Sequence, residues 1–355
     1  MPDRGFPLSV AVFDDNRVFA AMAYEGIPKG SEILEINGAK TTELVEKIRS
    51  YVSYEIESHA LANIEMVFPF YLYLEFEDAE YFNITCRTPS DKAVTFSLKA
   101  SPSSSFTYPF YSEGYNPYTS MYGGEPYTYR ILNDSTALLI FNTFGYPQTF
   151  ETFLKGMFSD MKEKGIKNLI IDLRFNGGGS SRLGDMLLSY LTDKPFRQYS
   201  RVDVKISKQD RNRKPWGDWP EDEIGSVVKY DTMEFIEPRP NPLRFREDVY
   251  VLTSKYTFSS ATDFATAVKD FEIGTTIGEE TGGLPTCYGD NIYLTLPNSG
   301  IRCTVSCKYF VRPSGVDDGR GVIPDYEVKP LSEDLITGKD RVLELTLDLI
   351  REGDE

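Results

Sequence analysis

Apolar positions along the chain keep two different rhythms. Up to residue 100, short runs predict strands at Leu8–Phe13, Val18–Tyr24 and Ile33–Ile36. Gly26, Pro28 and Gly30 break the chain between the second and third, and Asn37-Gly38 is a hairpin-type turn signal. Leu44, Val45, Ile48 and Val52 then recur at helical spacing behind Thr41 or Thr42, either of which can cap a helix. "IESHALANIEM" reads as a helix, and "FYLYLEF" and "VTFSLKA" read as further strands. Residues 101–128 are rich in Ser, Tyr, Pro and Gly without any period, which predicts a linker or surface loop.

From Tyr129 the pattern changes. "ALLIFNTF" predicts a strand and "FETFLKGMFSDMKEKG" a helix ended by Gly165. "NLIIDLRF" is a strand followed by the helix "SSRLGDMLLSYLTD", and "DVYVLTS" is a strand followed by the helix "SATDFATAVKDF", before the strand "TTIGEE". Strands alternating with helices imply crossovers and a largely parallel sheet. A long polar insertion, about 201–246, interrupts this order and holds both tryptophans; insertions of this length in α/β domains often form lids or substrate walls. "IYLTLPNSGIRCTVSCKYFVRP" predicts a hairpin turned at Pro297–Gly300, and Asp340–Arg351 a final helix. The fold class is α/β, divided into an N-terminal domain (1–100), a linker or loop (101–128) and a second domain (129–355).

Composition narrows the partners. A net charge of −16 disfavours nucleic acid or an anionic membrane, since both need basic patches. No apolar run approaches the roughly 20 residues of a membrane span, and the first residues lack the basic and apolar regions of a signal peptide. Cys86, Cys287, Cys303 and Cys307 show no metal-ligand spacing. The even spacing of Cys303 and Cys307 puts them on one strand face. The sequence contains a single histidine, His59.

Two stretches carry candidate chemistry. In "IIDLRFNGGGSS" a strand delivers Asp172 and Arg174, an ion pair that braces the loop, and three glycines then precede a helix. Such a loop is either a tight strand-to-helix turn or an oxyanion hole, in which backbone N–H groups converge on a negative oxygen. It has neither the GK[ST] of a phosphate-binding loop nor the last glycine of GxGxxG, where Arg182 stands. In "TFSSATDFA", Ser260 and Asp263 fit a capping box. The same turn also suits a nucleophile, because the helix N-terminus stabilises negative charge and the next N–H serves as an oxyanion donor.

Together, "IDLRFNGGG" (Ile171–Gly179), "TFSSATDFA" (Thr257–Ala265) and "IGEETGG" (Ile277–Gly283) resemble, in order, the motifs of the S41 serine peptidases, the tail-specific or C-terminal-processing proteases and the tricorn core protease. The resemblance implies a ClpP/crotonase-like catalytic domain with a mixed, largely parallel sheet. Upstream, the strand, NG turn and helix resemble a PDZ-like module, which takes extended peptides by strand addition; this implies a peptide-binding edge at Gly26, Ile27 and Ile36. The resemblance also implies a serine endopeptidase of unfolded or C-terminal polypeptide segments, without metal or cofactor. Ser260 takes the nucleophile position, and Gly178, Ala261 and Gly177 supply the oxyanion site. The full-length protein is then expected outside the cytoplasm, as a secreted, periplasmic or lipid-anchored form.

The general base separates the family's branches. Processing proteases use a lysine shortly after GxxTxG, but here "TGGLPTCYG" has Leu284 near that place and no lysine lies between Thr281 and Cys307. The tricorn-like branch uses a histidine ahead of the PDZ-like segment, oriented by an acid before GVxPD. "DDGRGVIPD" puts Asp318 at that acid's position. The histidine itself would lie N-terminal to "FPLSVAVF", before the chain begins. Three readings stay open: a shortened form of a larger enzyme, a relative that binds peptide or lipid without catalysis, or a site whose base is His59.

Overall fold

The computed structural model describes residues 4–77, 79–102, 125–209 and 220–353. The two rhythms become two cores. In the N-terminal part, β1 (Val10–Val12), β2 (Val18–Ala20), β3 (Glu32–Ile36), β4 (Tyr81–Arg87) and β5 (Ala93–Lys99) form one antiparallel sheet in that spatial order. Helices α1 (Thr41–Arg49) and α2 (Glu57–Phe76) run between β3 and β4. The predicted turn is present: Asn37 and Gly38 take φ of 49° and 82°, and the pair Ile36–Ala39 closes the hairpin. Two positive φ values in succession are what the Asn-Gly pair accepts.

Two local expectations fail here. "FYLYLEF" is not a strand but the end of α2. Its alternation mimics a strand, yet Leu61, Ile64, Phe68 and Leu72 are buried three or four residues apart, and this stripe packs the helix onto the sheet. Thr41 does not cap α1. The N-cap is Lys40, with no side-chain bond, and Thr41 Oγ1 instead donates to the carbonyl of Ile33.

The second core is organised by a six-stranded sheet. Its elements are β6 (Tyr127–Ile131), β7 (Thr136–Phe141), α3 (Pro147–Lys164), β8 (Asn168–Asp172) and α4 (Ser181–Leu191). After β9 (Arg201–Lys205) and β10 (Val227–Tyr230) come β11 (Asp248–Thr253), α5 (Ser260–Asp270) and β12 (Thr275–Gly278). The chain ends with β13 (Cys287–Thr295), β14 (Arg302–Val311), β15 (Tyr326–Glu327), α6 (Ser332–Thr337) and α7 (Arg341–Gly353). The sheet order is β15-β12-β11-β8-β7-β6, parallel throughout except for β6. Helices α3, α4 and α5 cover one face, burying Phe150, Leu187 and Phe264, and α7 covers the other through Val342 and Ile350.

A separate antiparallel sheet, β10-β9-β14-β13, joins the insertion to the C-terminal hairpin. The insertion is thus partly built into a wall. Its two tryptophans, Trp216 and Trp219, lie outside the described residues, as does most of the segment 101–128. The four cysteines are free, with Cys303 and Cys307 both on β14. Among the described residues no helix is long and apolar enough to cross a membrane.

Phe68 is fully buried and meets Phe6 edge-on at 5.9 Å between ring centroids. Phe68→Ala is expected to destabilise the chain by about 3–5 kcal/mol, read as a lower urea midpoint.

Candidate active site

The site begins where β8 runs out. Asp172 accepts the Arg174 backbone N–H at 3.0 Å and pairs with its guanidinium at 2.7 Å, which folds the chain back after the strand. Arg174 also pairs with Asp340, at the start of α7, at 2.6 Å. Asn176 then ties three segments together, and it is completely buried. Its Nδ2 donates to the carbonyl of Phe141 at the end of β7 (2.6 Å), its Oδ1 accepts the N–H of Gly178 (2.9 Å), and its own carbonyl accepts the N–H of Phe258 (3.0 Å).

Gly178 has φ of +95° and faces the serine turn directly. A Cβ there would lie 2.7 Å from Ser259 Cβ, 2.8 Å from the Phe258 carbonyl oxygen and 2.9 Å from Ser260 N. No side chain fits in that space, and this is why glycine is required at 178. The two turns, 80 residues apart in sequence, therefore pack backbone to backbone.

The serine turn follows β11. Thr257 Oγ1 donates to the carbonyl of Leu173 (2.9 Å), and Gly283 N donates to the carbonyl of Thr257 (3.0 Å). Ser259, the residue before α5, has φ 53° and ψ −130°. A non-glycine residue there is strained by roughly 1–3 kcal/mol and persists only where its surroundings impose it. A serine on a sharp strand-to-helix turn is also the geometry that presents a nucleophile. Ser259 is exposed, whereas Ser260 is buried at the first position of α5 and its Oγ donates to the Gly179 carbonyl at 3.0 Å.

The two serines differ in setting: Ser259 is the more exposed, Ser260 opens α5 and turns its hydroxyl onto the glycine loop, and both line the cavity described below. Ser260 and Asp263 do not form a capping box: Asp263 accepts the Tyr199 hydroxyl at 2.6 Å. The N–H groups of Gly178 and Ala261 donate to Asn176 Oδ1 and to the Phe258 carbonyl. The amides of Gly179 and Ser260 make no hydrogen bond among the described residues. Gly177 is exposed beside them but does not line the cavity described below.

Asp318 lies on an exposed loop, where its carboxylate accepts the N–H of Arg320 at 3.2 Å. Ile27 and Ile36 are fully buried in the N-terminal core and offer no surface to a peptide; Gly26 packs beneath Phe96.

His59, by contrast, is brought in. It stands near the start of α2, half-buried, with its ring stacked on Phe258 at 4.4 Å between centroids. A Cβ on Gly282 would lie 3.6 Å from its Cδ2. Nε2 is 3.2 Å from the amide nitrogen of Asn63, which also donates to the Ser53 carbonyl, so Nε2 accepts here. Burial pulls the imidazole below its ordinary pKa, which keeps the ring neutral at pH 7.

A cavity of about 700 Å³ opens from the turn, lined by Ser259, Ser260, Gly179, Phe258, Leu284 and residues of α4, α5 and the four-stranded sheet. Its inner wall carries Asp185 and Asp263. Burial pushes Asp263 up to about 7, against the opposing hydrogen bond from Tyr199, and Asp185 up to about 6, against that from Gln198. Asp185 and Tyr199 did not stand out in the sequence, and Asp263 did so only as a helix-capping acid, since their meeting depends on α4, α5 and the approach to β9.

An α/β core whose parallel strands end at a strained serine and unengaged amides is the arrangement of the serine hydrolases. Residues 135–328 match the family model of Peptidase family S41. The match spans more than half of the chain, and the chain belongs to peptidase family S41. Membership supports a serine protease function in general. Among solved structures, mature CPAF complexed with lactacystin superposes with a TM-score of 0.69 at 18% identity, covering 98% of this chain and 82% of that one. A second structure of mature CPAF gives 0.68 at 18% identity, covering 94% and 79%. At this identity the likeness shows a shared fold.

Asn176→Ala leaves the Phe141 carbonyl and the Gly178 N–H without their buried partner. The expected loss is about 1–3 kcal/mol of stability, measured by chemical denaturation.

Asp263 binds its proton more tightly folded, at about 7, than unfolded, where an aspartate titrates near about 3.9. Rising pH between those values therefore favours the unfolded state. Asp263→Asn removes this term, so the variant's gain in melting temperature over the parent is expected to be larger at pH 8 than at pH 5.

Proposed function

We propose that this protein is a serine endopeptidase of unfolded or C-terminal polypeptide segments, with Ser259 as the nucleophile. The observation that carries the reading is the Ser259 turn: exposed, strained and packed against Gly178, with two unengaged amides beside it. His59 is the general base. It takes the Ser259 proton while Oγ attacks a peptide carbonyl carbon. The amides of Gly179 and Ser260 stabilise the oxyanion, and the base returns the proton to the departing amine. Water then releases the acyl group by the same steps in reverse. The chemistry requires no metal or cofactor.

The N-terminal sheet and its two helices form a PDZ-like unit (1–100) that presents substrate to the catalytic domain (129–355). The absence of a lysine between Thr281 and Cys307 speaks for the tricorn-like branch over the processing proteases, although that branch's histidine lies ahead of the PDZ-like segment and His59 lies within it. In this scheme Asn63 is the group that holds the imidazole.

One observation favours a second reading, a peptide- or lipid-binding protein on the same scaffold. His59 Nε2 is engaged by Asn63, and base work requires it to exchange that amide for the Ser259 hydroxyl.

A fluorophosphonate probe decides between them. Labelling is expected in the full chain, is lost in Ser259→Ala, and survives at a modestly lower rate in Ser260→Ala, since the amide of residue 260 remains. Peptide hydrolysis by Ser259→Ala should fall on the order of 10⁶-fold. Labelling that disappears only in Ser260→Ala reverses the assignment, and no labelling of the parent supports the binder.

A further inference from the structure

The nucleophile and the only histidine come from parts of the chain with separate cores, so something has to set the angle at which α2 meets the serine turn. Apolar packing gives that contact area but little direction. The directional contact is a buried polar cluster six residues beyond His59. Glu65, on α2, is 3% exposed. Its Oε1 accepts the N–H of Val12 at 2.6 Å and Lys255 Nζ at 2.7 Å, and its Oε2 accepts the Tyr256 hydroxyl. Lys255 Nζ also donates to the Val12 carbonyl at 2.9 Å. Lys255 and Tyr256 belong to the turn that carries Ser259, whereas Val12 and Glu65 belong to the N-terminal part.

The contact continues toward the site. The Lys255 carbonyl would be 2.1 Å from a Cβ on Gly282, the same glycine that lies under His59. Ser58, beside His59, donates to the Thr281 carbonyl at 3.4 Å. From Glu65 to Ser58, then, one side of α2 is fastened to residues 255–256 and 281–282, which flank the serine turn in space.

We propose that Glu65 and Lys255 are positioning residues: their buried ion pair, completed by Tyr256 and Val12, locks α2 to the serine turn and so holds His59 against Phe258, the residue before Ser259. The inference rests on the Ser259–His59 reading for its catalytic consequence, but the geometric part stands without it. A buried pair of this kind adds little net stability over an apolar contact, whereas removing one partner leaves the other charge stranded in the interior. Its value lies in orientation. Misplacement of a catalytic group by about 1 Å lowers a rate by about 10²-fold.

Because His59 is the sole histidine, its reaction with diethyl pyrocarbonate reports its exposure directly and does not depend on turnover. The experiment compares the parent full chain with Glu65→Gln, Lys255→Met and Tyr256→Phe, each checked for folding by circular dichroism and a thermal melt. In folded Glu65→Gln and Lys255→Met, His59 is expected to react several-fold faster. Fluorophosphonate labelling of Ser259 should slow by about 10²-fold, with kcat falling and KM near the parent's. Tyr256→Phe loses a single bond and keeps the ion pair, so it folds even if the other two do not, and it should move both rates the same way by less. Unchanged His59 reactivity in the folded variants, Tyr256→Phe included, overturns the proposal. A parent that is never labelled by the probe counts against the protease reading alone, and the His59 rates still decide the lock.

Discussion

The carboxamide of Asn176 is the constraint on which the site depends. A single buried side chain holds the end of β7, the glycine loop and, through its backbone carbonyl, the residue before Ser259. Without it the Gly178 amide and the Phe141 carbonyl lose their buried partner, and the loop and the serine turn are held together only by the remaining bonds, such as Ser260 Oγ to the Gly179 carbonyl. The strain at 259 and the glycine at 178 are two halves of one fit: the first aims the hydroxyl outward, and the second leaves room for the turn to approach. Conformations of this kind persist where neighbouring segments over-determine them, and the parallel sheet supplies those segments by ending three strands at the same edge.

Around this fit the electrostatics are arranged by burial. The first N–H groups of α5 and the glycine loop concentrate positive potential where negative charge would form. Deeper in the cavity Asp185 and Asp263 are raised toward neutrality by desolvation, so the inner wall adds less negative charge at neutral pH than two free aspartates would.

The join between the two cores has a different character. It is polar, buried and directional, built from Glu65, Lys255, Tyr256 and the backbone of Val12. It brings the lone histidine to the lip of the site from a helix whose remaining length packs on a separate sheet. That arrangement couples the placement of His59 to the docking of the whole N-terminal part.

Much of this was legible in the amino-acid order. The alternation of strands and helices after Tyr129, the Asn37-Gly38 hairpin, the glycine loop and the serine turn follow from local periodicity and turn chemistry, which are properties of neighbouring residues. The end of α2 was misread because its residues alternate over a short window, and only a sheet lying beneath Leu61, Ile64, Phe68 and Leu72 decides which period is used. The family resemblance points to Ser260 in "FSSATDF", whereas how exposed each of the two hydroxyls is depends on the one-residue register of α5, which the sequence does not fix. Which amides remain unengaged, and which residue approaches His59, are matters of distance between segments far apart in the chain. Local order determined the elements and the chemical vocabulary. The packing of β8, β11 and α2 against one another decided which atoms meet, because hydrogen-bond direction and steric room exist only once those segments are in contact.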